Sequence, residues 1–246
     1  MKKRLDIILA EKGLAKSRTA ASMLIKEGSV TVNGKVCIRP SDNFDDENDS
    51  FYVSENSVLT KYVGRGGLKL ETAIEEFGIV LDGLVCLDIG ASTGGFTDCM
   101  LQNGAKRVYA VDVGTSQLAE KLRNDERVIS LEQLDIRDAD NRHIPVKAGF
   151  ISADVSFISL KIILPEIKRF AASGAHCCAL IKPQFELGKA RIGKSGVVRD
   201  PELRKKAVSD ICAFAESLGY RDIRTVPSKI DGGDGNKEYL MYFLIP

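Results

Sequence analysis

The amino-acid sequence predicts an α/β protein: a mainly parallel sheet of seven strands, preceded by a small α+β domain. Three observations carry this expectation. From residue 84 onward, short apolar runs alternate with helix-period segments, the pattern of strands joined by crossover helices. One of these runs, Leu84-Val85-Cys86-Leu87-Asp88, leads into Gly90-Ala91-Ser92-Thr93-Gly94-Gly95 and a helix pattern from Phe96. That order of strand, glycine loop and helix opens a nucleotide-type pocket. The first forty residues differ in kind, with nine basic residues against three acids, and residues 41–59 then hold six acids and no base.

Taken in order, Leu5, Ile8 and Leu9 share one helical face, and Gly13 stops that helix. Ser17 is placed to cap a second helix with Ala20, Ala21, Leu24 and Ile25 inward, ended by Gly28. Val30-Thr31-Val32 and Lys35-Val36-Cys37-Ile38 flank Asn33-Gly34, which favours a type I′ hairpin turn. Phe51-Tyr52-Val53 closes the small domain as a strand. The expected boundaries are 1–59 for this domain, 60–63 for a linker and 64–246 for the large domain. Leu68, Leu70, Ala73, Ile74 and Phe77 mark a helix before the first large-domain strand. Strands are expected at about 84–88, 107–112, 127–131, 149–154, 175–181, 221–226 and 238–245. Asp200, Pro201 and Gly219 bracket a long helix between the fifth and sixth of these.

Charge is balanced overall, at 35 basic and 34 acidic residues, so bulk charge names no partner. The concentrated positive charge of residues 1–40 marks a polyanion-binding unit instead. Six cysteines without Cys-x-x-Cys spacing and two histidines, His143 and His176, argue against a metal site. Cysteines in apolar strands fit a reducing, cytoplasmic setting. Lys2-Lys3-Arg4 followed by an amphipathic pattern is no secretory leader, and no apolar stretch reaches the roughly 20 residues of a membrane span.

In an open α/β sheet, ligands bind beyond the carboxyl ends of the strands. Asp88 and Asp112 end the first two strands, Asp154 the fourth and Lys182 the fifth. If the last strand runs antiparallel, Glu238 at its start reaches the same edge. Lys69 lies on the helix before the first strand. The glycine loop lacks a P-loop ending, and a strand-end acid repels pyrophosphate while suiting a cationic ligand such as the sulfonium of S-adenosylmethionine. A glycine turn in another α/β protein is the alternative. Asp154-Val155-Ser156-Phe157 lacks the Pro-Pro-aromatic ending of amino-directed base methyltransferases, and no proline precedes a cysteine as a cytosine C5 enzyme would need. A lysine beside carboxylates suits deprotonating and orienting a hydroxyl.

Arg4-Leu5-Asp6, Lys16-Ser17-Arg18-Thr19-Ala20-Ala21, Ile25-Lys26-Glu27-Gly28 and Val30-Thr31-Val32-Asn33-Gly34 resemble an S4 RNA-binding domain. The large domain resembles Rossmann-like ribose 2′-O-methyltransferases of the FtsJ type. Together they resemble the TlyA family, also known as hemolysin A. The motifs are Lys61–Leu70, Asp88–Phe96, Asp154–Leu160, Lys182–Glu186 and Gly235–Tyr239. The resemblance implies an S-adenosylmethionine-dependent RNA (ribose-2′-O) methyltransferase acting on cytidine of large-subunit ribosomal RNA, with small-subunit RNA the weaker expectation. It carries a Lys-Asp-Lys-Glu tetrad onto Lys69, Asp154, Lys182 and Glu238, with Lys182 as base, kept partly neutral by desolvation and nearby Lys69. It places the cofactor against Asp88, Gly90, Ser92, Gly94, Gly95, Phe96, Asp112 and Asp135. RNA is expected at Arg4, Lys16, Arg18, Lys26 and Arg65, and at the glycine-spaced Lys189, Arg191 and Lys194. Two departures from the family stand out. Tyr62 occupies a linker position that often holds Trp, and the sequence ends at Pro246 without the C-terminal extension of members acting on both subunits, which points to large-subunit RNA alone. The rival readings are a membrane-active hemolysin and a non-catalytic ribosome assembly factor. The first lacks a spanning segment, and the intact tetrad argues against the second.

Overall fold

The computed structural model divides into two compact units, residues 1–61 and 62–246. It describes residues 2–54, 61–188, 196–232 and 235–246.

In the smaller unit, β1 (Lys2–Arg4) leads directly into α1 (Leu5–Glu11), and α2 spans Arg18–Glu27. Ser17 Oγ accepts from the Ala20 amide at 3.1 Å, the N-cap its position predicts, and Gly28 closes α2 in the left-handed region. The hairpin follows as β2 (Val30–Val32) and β3 (Lys35–Cys37), with Asn33 and Gly34 both at positive φ, as a type I′ turn demands. β4 (Asn43–Asp45) pairs antiparallel with β1, and β5 (Phe51–Val53) pairs with the other edge of β2. Leu5, Leu9, Ala21, Leu24, Ile25, Val30 and Val32 form the core, with Phe44 and Phe51 packed against it. The β1–β4 pair had no signal in the sequence, since three residues per strand are too few to show alternation.

The larger unit is built on one seven-stranded sheet. Its strands in chain order are β6 (Val85–Ile89), β7 (Arg107–Asp112), β8 (Val128–Glu132), β9 (Ala148–Ala153), β10 (Ala171–Ile181), β11 (Arg221–Pro227) and β12 (Tyr239–Leu244). The spatial order is β11-β12-β10-β9-β6-β7-β8. Six strands run in one direction, and β12 is antiparallel to both its neighbours. The order reverses at β6, so the carboxyl ends of β6 and β9 flank the crevice where such sheets bind ligands.

Helices α3 (Gly66–Phe77) and α4 (Gly95–Gln102) cover one face, and α6 (Leu160–Phe170) and α8 (Pro201–Ser217) cover the other; α5 (Glu120–Arg123) and α7 (Pro183–Glu186) are single turns. Strand residues alternate between the faces. Leu87, Ile151, Ala179 and Met241 pack toward Ile163, Ile167 and Ile211. Asp200 caps α8 through the Glu202 amide, and Gly219 follows its end at positive φ.

Tyr62 and Val63, expected in the linker, belong to the larger unit. Tyr62 is buried, and its hydroxyl donates to Glu71 Oε1 at 3.1 Å. The Val63 amide donates to the buried Asp98 carboxylate at 2.8 Å. A Cβ on Gly67 would fall 2.3 Å from the Tyr62 ring, so only glycine admits the ring there.

Candidate active site

Two cavities adjoin at the carboxyl edge of β6 and β9. One, of about 370 Å³, is lined by Gly90, Ser92, Asp112 and Asp135 and by aliphatic side chains including Leu134 and Ile136. The second, about 190 Å³, lies between the glycine loop and Lys182 and is lined by Gly66, Gly95, Phe96 and Ser156. Gly90, Ser92, Asp154 and Ser156 line both. At Gly90, φ is +82°, and a Cβ would lie 2.5 Å from the Asp154 carbonyl oxygen. The two strand ends approach this closely only because Gly90 has no side chain.

Asp112 bridges the floor of the larger cavity. Its Oδ2 accepts from the Ser92 amide and its Oδ1 from the Gly114 amide, both at 2.7 Å. Ser92 sits at φ +48°, a strained value stabilised by this bond. Glu132, which carried no functional expectation, accepts the amides of Ser116, Gln117 and Leu118 and so fixes the loop beyond Asp112. Asp135 is held by the Arg137 guanidinium at 2.7 Å, which lowers its pKa.

Two expected cofactor residues are not at the cavities. Asp88 is fully buried, accepting from Thr97 Oγ1 at 2.7 Å and Ser152 Oγ at 2.8 Å. The reason is alternation: Asp88 and Ser152 are cross-strand partners on the face covered by α4, so the acid points into the helix layer and not over the strand end. Burial pushes its pKa up to about 6. Gly94 serves as the left-handed cap of α4, where a Cβ would strike Leu118 and Leu122.

The four tetrad positions form two ion pairs. Lys182 Nζ lies 2.6 Å from Asp154 Oδ1 and donates to Ser156 Oγ at 2.8 Å. Lys69 Nζ lies 2.5 Å from Glu238 Oε2, with both side chains buried. Ile181 and Tyr239 are the last register pair of β10 and β12, so Lys182 and Glu238 follow at neighbouring positions. Lys69 and Glu238 line neither cavity. Their pairing also corrects the expected electrostatics: with its charge matched by Glu238, Lys69 is not the free cation that would help to keep Lys182 neutral.

Phe157 had no assigned role. It is 89 % exposed, adopts φ +68°, lines the larger cavity and lies 5.2 Å from the Phe185 ring. A bulky residue in the left-handed region is rare and costly, which makes exposure of this ring a functional signal. Its only sequence signal was its place three residues beyond Asp154.

Of the expected RNA contacts, Arg4, Lys16, Arg18 and Lys26 are exposed on the smaller unit. Arg4 and Arg18 both pair with Asp6. Arg65 is half-buried at the start of α3. Lys189, Arg191 and Lys194 lie outside the described residues. Among the described residues, no group of His, Cys, Asp and Glu could hold a metal ion, and no helix is long and apolar enough to cross a membrane.

Sheet order, crevice and paired lysines together define a methyltransferase of the FtsJ-like class: the model for FtsJ-like methyltransferases matches residues 62–244, and that for the S4 domain matches residues 3–50. The chain is 40% identical over 239 residues to the 16S/23S rRNA (cytidine-2′-O)-methyltransferase TlyA of Mycobacterium tuberculosis, spanning 97% of this chain and 88% of the relative. It is 40% identical over 184 residues to the 23S rRNA (cytidine-2′-O)-methyltransferase TlyA of Campylobacter jejuni, covering 74% of this chain and 71% of the relative. A solved Streptococcus thermophilus structure that carries the hemolysin name superposes with a TM-score of 0.76 at 42% identity, covering 99% of this chain and 88% of that one. The chain belongs to the TlyA family.

Proposed function

We propose that the protein transfers a methyl group from S-adenosylmethionine to the 2′-hydroxyl of a cytidine in ribosomal RNA, with the large-subunit RNA as principal substrate. The observation that carries this reading is Lys182, in the smaller cavity, held between Asp154 and Ser156, which line both cavities.

The donor set of the larger cavity fits the cofactor. Asp112 and Asp135 offer carboxylates for ribose hydroxyls and for positive charge, and Leu134 and Ile136 offer an apolar wall for a purine. When bound, S-adenosylmethionine supplies an electrophilic methyl group on a sulfonium. The ribose hydroxyl is a weak nucleophile, so alignment is the main task of the chain and proton removal a smaller one. Lys182 meets the ribose oxygen and, as the neutral amine, takes its proton. Asp154 and Ser156 fix the amine and stabilise the ammonium that forms. Lys69 and Glu238 brace the adjoining strand end. The exposed Phe157 ring offers a stacking surface for the target base. The basic face of the S4 domain grips RNA phosphates and sets register. Such an enzyme works in the cytoplasm, where its substrate is.

The test is methyl transfer from labelled cofactor to ribosomal subunits lacking the modification, followed by alkaline hydrolysis. A 2′-O-methyl group blocks cleavage at the adjacent phosphodiester, so the label should remain in a resistant dinucleotide. Label recovered in a base-methylated mononucleotide would overturn the ribose assignment.

A further inference from the structure

Asp6 is an acid set within the basic face of the smaller unit. Its side chain is only 7% exposed, and two arginines from different elements converge on it. Arg4, at the end of β1, places Nε on Oδ1 and Nη2 on Oδ2, each at 3.0 Å. Arg18, the first residue of α2, brings Nη2 to the same Oδ2 at 3.3 Å. The Asp6 backbone is itself fixed, its amide donating to the Pro40 carbonyl at 3.2 Å. Both arginine side chains remain about half exposed, at 46% and 59%.

Two guanidinium groups that share one oxygen atom stand a few ångström apart. They would repel without the carboxylate between them. Each guanidinium carries five N–H donors. Asp6 engages two from Arg4 and one from Arg18. The larger part of both donor sets is left for another acceptor, and the planar fork matches phosphate oxygens.

We infer that Asp6 is a positioning residue for RNA, which holds Arg4 and Arg18 as a preformed pair for one backbone phosphate. The inference rests on the RNA-binding reading of this unit. Long side chains ordered before binding do not have to be ordered during it, which raises affinity. Simple charge counting gives the opposite expectation. Replacing Asp6 with a neutral residue makes the face more positive and should strengthen attraction to a polyanion. The two accounts therefore differ in sign.

The experiment is filter binding of the full-length chain to protein-free large-subunit ribosomal RNA across a salt series, with thermal melts of each variant. Asp6→Asn should weaken binding about threefold to tenfold despite the added positive charge. The same substitution should have no further effect in an Arg4→Ala/Arg18→Ala background. Arg4→Lys keeps the charge but loses the two-nitrogen fork. It should weaken binding by a similar factor, and it decides the matter if Asp6→Asn does not fold. Unchanged or tighter binding by folded Asp6→Asn, or full binding by Arg4→Lys, overturns the positioning role. If Arg4→Ala/Arg18→Ala binds RNA like the parent, the RNA reading of this face has failed, and the inference falls with it.

Discussion

Lys69 and Glu238, 169 positions apart in sequence, meet at 2.5 Å with both side chains buried. Neither charge is tolerable there alone. Lys69→Ala leaves a buried carboxylate unpaired and should destabilise the fold by about 3–5 kcal/mol. Joint replacement, Lys69→Met with Glu238→Leu, should return most of that stability, since apolar residues of similar volume can replace a buried pair. Denaturant melts of the single and double variants measure this. A double variant as unstable as the single would show that the cost lies in packing and not in charge.

Lys182→Ala should lower turnover by at least about two orders of magnitude, the usual scale for losing a general base. Cofactor affinity should change little. Lys182→Arg should not rescue, because a guanidinium stays protonated and cannot accept the ribose proton. Single-turnover assays on unmodified ribosomal subunits give the rates, and full activity in Lys182→Ala would remove Lys182 from the catalytic role.

Asp88 and Asp112 should separate cleanly. Burial raises the Asp88 pKa to about 6, above that of an exposed aspartate, about 3.9. Between these values the native state holds a proton that the unfolded chain has released. Stability therefore falls as pH rises from about 4 to about 6, and this contribution is constant above that. Asp88→Asn should abolish this slope and raise stability at neutral pH by up to about 2–3 kcal/mol, with cofactor affinity unchanged. Asp112→Ala should weaken cofactor binding by roughly 1–3 kcal/mol, the scale for a charged hydrogen bond. Melts across pH and calorimetry with S-adenosylmethionine check both. A large affinity loss in Asp88→Asn would return that residue to the pocket.

Phe157 carries strain that its exposure does not repay. Phe157→Gly relieves a left-handed backbone penalty of roughly 1–2 kcal/mol while removing little buried surface. The variant should melt no lower than the parent, yet methylate RNA more slowly with unchanged cofactor affinity. Parent-like methylation rates at saturating RNA would remove the ring from substrate positioning.

Strands β6 to β12 were legible because apolar runs and glycine punctuation recur along the large domain, and Ser17, Asn33-Gly34 and Asp200-Pro201 announced their caps and turn. The misreading of Asp88 has a definite cause. Its place at the end of an apolar run was visible, but which face it takes depends on its register with Ser152, 64 positions away. Asp112, one residue-pair period from the same reading, does reach the cavity because its loop curls back onto Ser92. The pairing of Lys69 with Glu238 was equally out of reach, since spacing shows that charges gather at an edge but not which partner each takes. Phe157 left only its place after Asp154, because its stronger signal is a backbone angle.

The last strand of this sheet in chain order is not placed at its edge. β12 lies between β10 and β11, both of which precede it in the chain. Until Tyr239–Leu244 is synthesised, the edges of β10 and β11 that it joins lack the strand that pairs them. At roughly 5–20 residues per second, Lys69 waits about ten to thirty seconds for Glu238. Completing the sheet and neutralising Lys69 are thus one event in time.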